Sequence, residues 1–257
     1  MPPPSTVTKP SFLSTERLKY PISVGERYVY SGGWGVFSVG TAQVEVLPMV
    51  KVNENPSFHI QVQARTNEFF SAIYNAEEIL EVFIDAGTLR PYKMELKGRE
   101  TKFLRHHITA FDYEKGKAYY WKKTIRIGRE KEPGIREISY DLKPNFFDAL
   151  TPIFHYRTME LKIGKKISFQ VLENAGISNI SCEVLKRDRK NVLGHEEDAF
   201  YFECKSKKIT FGDTILEDEP ENKSWGWISA NPKRYIIEAG ADMKLGSVTL
   251  ILQEKNF

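Results

Sequence analysis

Five histidines, two cysteines and a short run of carboxylates are the groups in this sequence best able to do chemistry. His106 and His107 are adjacent. In a strand their rings would point to opposite faces and could not ligate one ion together. His59, His155 and His195 are scattered, and for each a surface or hydrogen-bonded structural role is the plainer expectation. Cys182 and Cys204 lack the His partners of a zinc site. Glu196-Glu197-Asp198 reads as the charged end of a hairpin. Paired carboxylates cleave a glycan only at a defined separation in space, which a sequence does not supply. There is no G-x-S-x-G elbow, H-E-x-x-H pair, phosphate loop or dinucleotide fingerprint. No metal, cofactor or catalytic residue is assigned, and the reading leans away from an enzyme.

Aromatic and arginine side chains say more. Trp34, Trp121, Trp225 and Trp227 accompany 12 Tyr and 16 Phe. Only Gly226 separates Trp225 from Trp227, so in a strand the two rings share a face. Filling a core is the plainer use of these rings. The functional use is a concave apolar cleft that holds an acyl chain or stacks sugar rings while an arginine meets an anionic group. The residues expected to line it are Trp34, Arg65, Tyr74, Arg157, Trp225 and Trp227, with Arg234 as a further cation. Arg157 also lies near a helix end, where a cation suits the dipole.

These side chains need a scaffold, and the pattern is of strands. The chain has 257 residues with 41% hydrophobic and 12% aromatic content, enough for a sizeable core. Its net charge of +3 is spread evenly, so nucleic acid is not an expected partner; the basic stretch from Lys93 to Lys131 alternates with apolar positions and reads as a solvated sheet face. Thr41 to Val46 and Phe58 to Ala64 alternate with the period of half-buried strands. Asn53, Asn55 and Pro56 mark a hairpin between them. Further strands are expected at 78–85, 92–96, 102–111, 117–121, 135–142, 166–172, 178–187, 199–207, 233–238 and 247–253.

One amphipathic helix interrupts them. Asn145 is its expected cap, and Phe146, Ala149, Leu150, Ile153, Phe154 and Arg157 form a stripe that ends by Gly164. A second, short helix is expected between Thr66 and Tyr74, capped by Thr66 or Asn67. The expected fold is mainly β: a large curved antiparallel sheet, a β-roll or open barrel, wrapped around one principal α-helix with one short additional helix. Residues 1–20 are expected to be an extended tether and 21–257 a single domain. A hairpin centred on Leu193 would set Cys182 opposite Cys204. Two buried thiols are the plainer expectation there, and a cross-strand disulfide the alternative. No apolar run reaches the length of a membrane span, and the residues after Met1 lack the apolar core of a signal peptide.

Four segments resemble, in order, a bacterial family of unknown function numbered 3108. They are GERYVYSGGWGVFSVGTAQVEV, QARTNEFFSAIYNAEEILEVFIDAGTLRP, FFDALTPIFHYRTMELKIGKKISFQV and WGWISANPKRYIIEAGADMKLGSVTLIL, together most of Gly25 to Leu252. The WGW pair and the Asn231-Pro232 turn depart from the family's pattern. The resemblance implies an exported envelope protein of Gram-negative bacteria, periplasmic or outer-membrane associated, with a rolled antiparallel sheet. Membrane association would come through a lipid anchor outside this sequence. The leading expectation is a non-catalytic envelope protein that binds a lipid or glycan in the cleft of a rolled sheet. The alternatives are a hydrolase acting on an envelope polymer, and a scaffold of an envelope complex. Oligomeric state is left open.

Overall fold

The computed structural model describes residues 7–8, 20–212, 214–243 and 246–257. Strand accounts for 67% of the chain, which settles the class as mainly β. The first half holds β1 (Val7–Thr8), β2 (Arg27–Trp34), β3 (Phe37–Val52), β4 (Asn55–Thr66), α1 (Glu68–Ser71), β5 (Ala76–Asp85), β6 (Pro91–Glu100), β7 (Phe103–Asp112), β8 (Lys117–Arg126) and β9 (Gly134–Asp141). After it come β10 (Phe146–Phe147), α2 (Thr151–Thr158), β11 (Lys166–Glu173), β12 (Gly176–Val192) and β13 (His195–Phe211). The chain closes with β14 (Thr214–Ile215), β15 (Asn222–Ser229), β16 (Ile236–Met243) and β17 (Gly246–Asn256).

Alternation makes the strands. In β4, Phe58 and Ile60 are fully buried while Gln63 and Arg65 are exposed. Asn53 and Glu54, with φ of 49° and 65°, form the tight turn that joins β3 to β4, the two-residue geometry that suits the twist of a hairpin. The strands form one sheet in the order β10, β11, β12, β13, β15, β16, β17, then β2 to β9, with β1 and β14 as short side pairings. The last strand thus pairs with the first long one, Leu252 opposite Tyr30. The two edges, β9 and β10, are consecutive in the chain, so the sheet rolls almost into a ring. Side chains close the seam. The Tyr140 hydroxyl lies 3.0 Å from the carbonyl oxygens of both Ala175 and Gly212. The Arg136 guanidinium covers Phe211, and Phe146 packs with Phe111, Tyr120 and Leu172.

The expected principal helix from 145 to 164 is not what forms. Asn145 has φ of 59°, and Phe146–Phe147 extend as β10 alongside Gln170 and Val171. Only eight residues, Thr151–Thr158, are helical. Asp148 takes the capping role expected of Asn145: its Oδ1 accepts from the backbone N–H of Leu150 and Thr151, and its Oδ2 from the Thr151 hydroxyl. The apolar stripe is divided among separate cores. Phe146 joins the seam and Phe154 packs with Ile22, Val46, Phe58, Ile60 and Val82, while Tyr156, outside the stripe, packs with Cys182, Val184, Phe200 and Ile228. α2 is a bridge between the two halves of the sheet, not a rod that the sheet encloses. The short helix forms as α1, capped by Asn67.

A buried network fixes that bridge. Arg157 donates to the carbonyls of Lys233 (2.9 Å) and Pro21 (2.8 Å) and to Glu26 Oε2 (2.6 Å). Glu26 is fully buried and also meets Lys233 at 2.7 Å. Cys182 and Cys204 are directly opposed and joined as a disulfide, the alternative of the two expectations. Of the expected tether, Val7–Thr8 pair with Val52 and Lys51 of β3, and residues 1–6 and 9–19 lie outside the described residues.

Candidate ligand-binding trough

Directly opposed residues of antiparallel strands share a face, so the register maps the inner wall row by row. Ile60, Val82 and Met94 pack in the core that holds Phe154 of α2, which identifies the concave side. The same row continues through Thr109, Tyr120 and Ile138. Two residues further along each strand, the next row is Val62, Leu80, Leu96, His107, Lys122 and Arg136. The third is Ala64, Glu78, Gly98, Arg105, Thr124 and Gly134.

The first row is buried up to Tyr120 except for partly exposed Met94, whereas Val62, Leu80, Leu96, His107 and Lys122 are all partly open. The wall above the helix is therefore two-toned. Its β4–β6 side is aliphatic, and its β7–β9 side is polar and cationic.

The polar side is packed tightly. Nε of Arg105 sits 2.8 Å from Oε1 of buried Glu100, a charge contact without an aligned hydrogen bond. Gly98 leaves room for Glu78, whose Cγ would lie 3.1 Å from a Cβ added there. Burial and the neighbouring Glu100 push the Glu78 carboxyl above its ordinary value, against the pull of Arg105. Burial, with Lys122 and Arg105 close by, lowers the His107 imidazole to about 4. Burial and Arg105 also lower the Lys122 ammonium. Burial raises the Tyr120 hydroxyl to about 12. Four neutral polar atoms of this patch, His107 Nε2, Thr109 Oγ1, Tyr120 Oη and Thr124 Oγ1, are buried without a hydrogen-bond partner.

The six expected site residues are dispersed. Tyr74 borders the polar side: its hydroxyl bonds Glu100, and burial and that bond raise its pKa. Trp34 stands at the same end of the sheet, edge-on to Phe70 at 6.4 Å. Around it, Val36 (92% exposed), Phe37, Phe69 and Ile73 form an apolar lip. Arg157 is held in the ion-pair network beneath the trough. Arg65 opposes Glu77 on the outer face. Trp225 and Trp227 do share a face, with Tyr201, but it is the face opposite Phe202 and Cys204. There Trp225 lies on Gly240, and Lys186 and Lys190 cover Trp227. Arg234 is partly buried near Phe200.

Sequence reasoning passed over Glu78, Glu100, Arg105, His107, Lys122 and Thr124. The sequence pattern predicts a solvated face for the basic stretch. It serves both faces: Lys93, Lys97 and His106 surround Glu95 outside, while Arg105, His107 and Lys122 turn inward. The available signal was alternation within Arg105-His106-His107, which puts one imidazole on each face. Two hollows lie elsewhere. One, of about 550 Å³, is lined by Arg187, Arg189, Glu196, Glu197 and Asp198, whose charges are largely paired with one another. The other, of about 240 Å³, lies beside Val192 and Ile237. Among the described residues no cluster of His, Cys, Asp and Glu could hold a metal ion, and no helix is long and apolar enough to cross a membrane.

An almost closed sheet, antiparallel except for the β10–β11 edge, sealed by side chains and bridged inside by a two-turn helix, defines a barrel-like rolled-sheet protein. Residues 28–253 match the family described as protein of unknown function (DUF3108), and the chain belongs to that family. The fold is also similar to the crystal structure of a beta-barrel-like protein of domain of unknown function DUF1849 from Brucella abortus. The TM-score is 0.52 at 11% identity, over 91% of this chain and 97% of that one. A crystal structure of a candidate lipoprotein from Parabacteroides distasonis aligns with a TM-score of 0.39 at 10% identity, over 92% of this chain and 97% of that one. No curated protein matches the sequence.

Proposed function

We propose that this chain is a non-catalytic binding protein of the bacterial cell envelope that takes a lipidic, amphiphilic ligand in the trough. The observation that carries the reading is the two-toned wall. Val62, Leu80 and Leu96 are partly exposed on the concave face directly beside His107, Lys122 and Arg136. Exposed aliphatic rows inside a curved sheet are costly to leave in water, and an acyl chain laid along them removes that cost. The apolar lip of Val36, Phe37, Phe69 and Ile73 at the open end suits uptake from a membrane surface. The Cys182–Cys204 disulfide supports an oxidising compartment such as the periplasm.

Native mass spectrometry of protein purified from its own host tests this. The expected result is a co-purified amphiphile that is lost from a Leu80→Glu variant. Ligand-free protein from host membranes, or a bound species indifferent to Leu80→Glu, would overturn the reading.

A hydrolase acting on an envelope polymer is the second reading. It is favoured by one observation: Glu78, with its raised pKa, and Glu100 face the same trough. Turnover of purified cell wall that disappears in Glu78→Gln would establish it in place of the first.

A further inference from the structure

Among the described residues, five of the eight buried polar side-chain atoms without an aligned hydrogen bond fall in one block of two adjacent strands: Arg105 Nε, His107 Nε2, Thr109 Oγ1, Tyr120 Oη and Thr124 Oγ1. The register makes the block compact. Thr109 opposes Tyr120, His107 opposes Lys122, and Arg105 opposes Thr124. Thr109 is 1% exposed and Tyr120 2%. A buried donor left unbonded is destabilising, and native proteins contain few. Five in six residues is a dense cluster of unmet donors and acceptors, which a group entering from the open side of the block would be placed to bond.

The charge says what that ligand brings. Arg105, Lys122 and Arg136 converge here from β7, β8 and β9, and three hydroxyls can donate beside them. Of the carboxylates that face the block, Glu100 is engaged by Arg105 and Tyr74, and Glu78 has its pKa raised by burial and by Glu100.

We infer that this block is an oxyanion subsite, which binds a phosphate or carboxylate group between Lys122, Arg105 and the hydroxyls of Thr109, Tyr120 and Thr124. The subsite rests on the amphiphile reading and deepens it: the anionic head meets β7–β9 while the chain lies on Val62, Leu80 and Leu96. Arg105, His107, Lys122 and Thr124 are the partly exposed members of the block, with Thr109 and Tyr120 buried behind them, so these four form its open side. His107, neutral in the free protein, serves as a donor or acceptor by choice of tautomer.

Calorimetric titration with decyl phosphate, decanol and inorganic phosphate tests the subsite on the full chain. Lys122→Met removes one cation from the concave face, Thr124→Val removes a hydroxyl at nearly constant volume, and Lys123→Met, whose side chain faces outward, is the control. Wild type is expected to bind decyl phosphate at least about tenfold more tightly than decanol. Lys122→Met should weaken decyl phosphate about tenfold or more, and Thr124→Val several-fold, with decanol and Lys123→Met unaffected. Inorganic phosphate binding with the same Lys122 dependence would mark free phosphate as the source of the anion. Its absence would mark the head group of an amphiphile, and either result supports the subsite. Equal binding of decyl phosphate and decanol, or a Lys122→Met variant with unchanged preference, would overturn the subsite while leaving the amphiphile trough standing. Failure of both decyl compounds to bind would overturn the two together. Thermal unfolding of each variant distinguishes lost binding from lost fold.

Discussion

Replacing Arg157 by methionine tests whether this arginine serves the fold or a ligand. The guanidinium makes three bonds, to the Lys233 carbonyl, the Pro21 carbonyl and Glu26 Oε2, and its side chain is 4% exposed. Removing one member of a buried ion pair costs about 3–5 kcal/mol, because the other charge is left in a poor solvent. Here Glu26 keeps Lys233 at 2.7 Å and the Tyr28 hydroxyl at 3.1 Å. The lower end of that range applies, about 3 kcal/mol. For a domain of this size the loss corresponds to a Tm lower by roughly 6–12 °C. Lys233→Met should cost only about 1 kcal/mol, since that side chain is 24% exposed and Arg157 remains on Glu26. Arg157→Lys should recover less than half of the loss, because one ammonium cannot reach the three acceptors in their fixed directions. The assay is urea unfolding of the full chain, followed by circular dichroism, with the slope compared between variants. A loss below about 1 kcal/mol for Arg157→Met would refute the reasoning and return Arg157 to the pool of ligand-binding candidates.

Other outcomes follow from single observations. The His107 pKa of about 4 lies below the ordinary imidazole value of 6.5, so the unfolded chain binds the extra proton between those values. The stability contributed by neutral His107 is complete above pH 6.5 and is lost as pH falls toward 4. The full shift would correspond to about 3 kcal/mol, of which roughly half survives solvent screening of a partly exposed ring. NMR titration of His107 in wild type, with unfolding at pH 7 and 5 in wild type and His107→Gln, checks both value and sign. A Cβ added at Gly40 would lie 2.2 Å from the Arg65 carbonyl oxygen. Gly40→Ala should therefore cost about 2 kcal/mol or more and loosen the β3–β4 ladder, read by amide exchange. Reducing the disulfide, whose cysteines are 22 residues apart, should lower stability by about 3 kcal/mol in the chain-entropy account, measured by urea unfolding with and without reductant.

Much of the fold is legible in residue order. The alternation of Phe58 to Arg65 predicts a half-buried strand, and Phe58 and Ile60 are indeed fully buried. The hairpin centred on Leu193 sets Cys182 against Cys204, and the register confirms it. Asn67 caps a short helix, one of the two caps expected. The 3.6-residue spacing at 145–164 predicts one long helix, but a competing ladder takes its first residues. Phe146 and Phe147 gain bonds alongside Gln170 and Val171, and Asp148 then starts the helix later. The candidate site was less legible. Tyr74 and Trp34 lie beside the trough, but Arg65, Trp225 and Trp227 face the other way and Arg157 is held by Glu26.

Residue order alone determined that this chain would be a strand-rich sheet of hairpins, and which side chains along each strand share a face. A two-residue period is set by the local pleat and needs no knowledge of distant contacts. Which face became the inside was decided only when the sheet curled, through α2 bridging Ile60 and Val184 and through Tyr140 closing the seam near Ala175. Those contacts join residues far apart in the chain. The gathering of Arg105, Lys122 and Arg136 on one concave wall belongs to the same step, because each comes from a different strand and only the curvature turns them toward the same space.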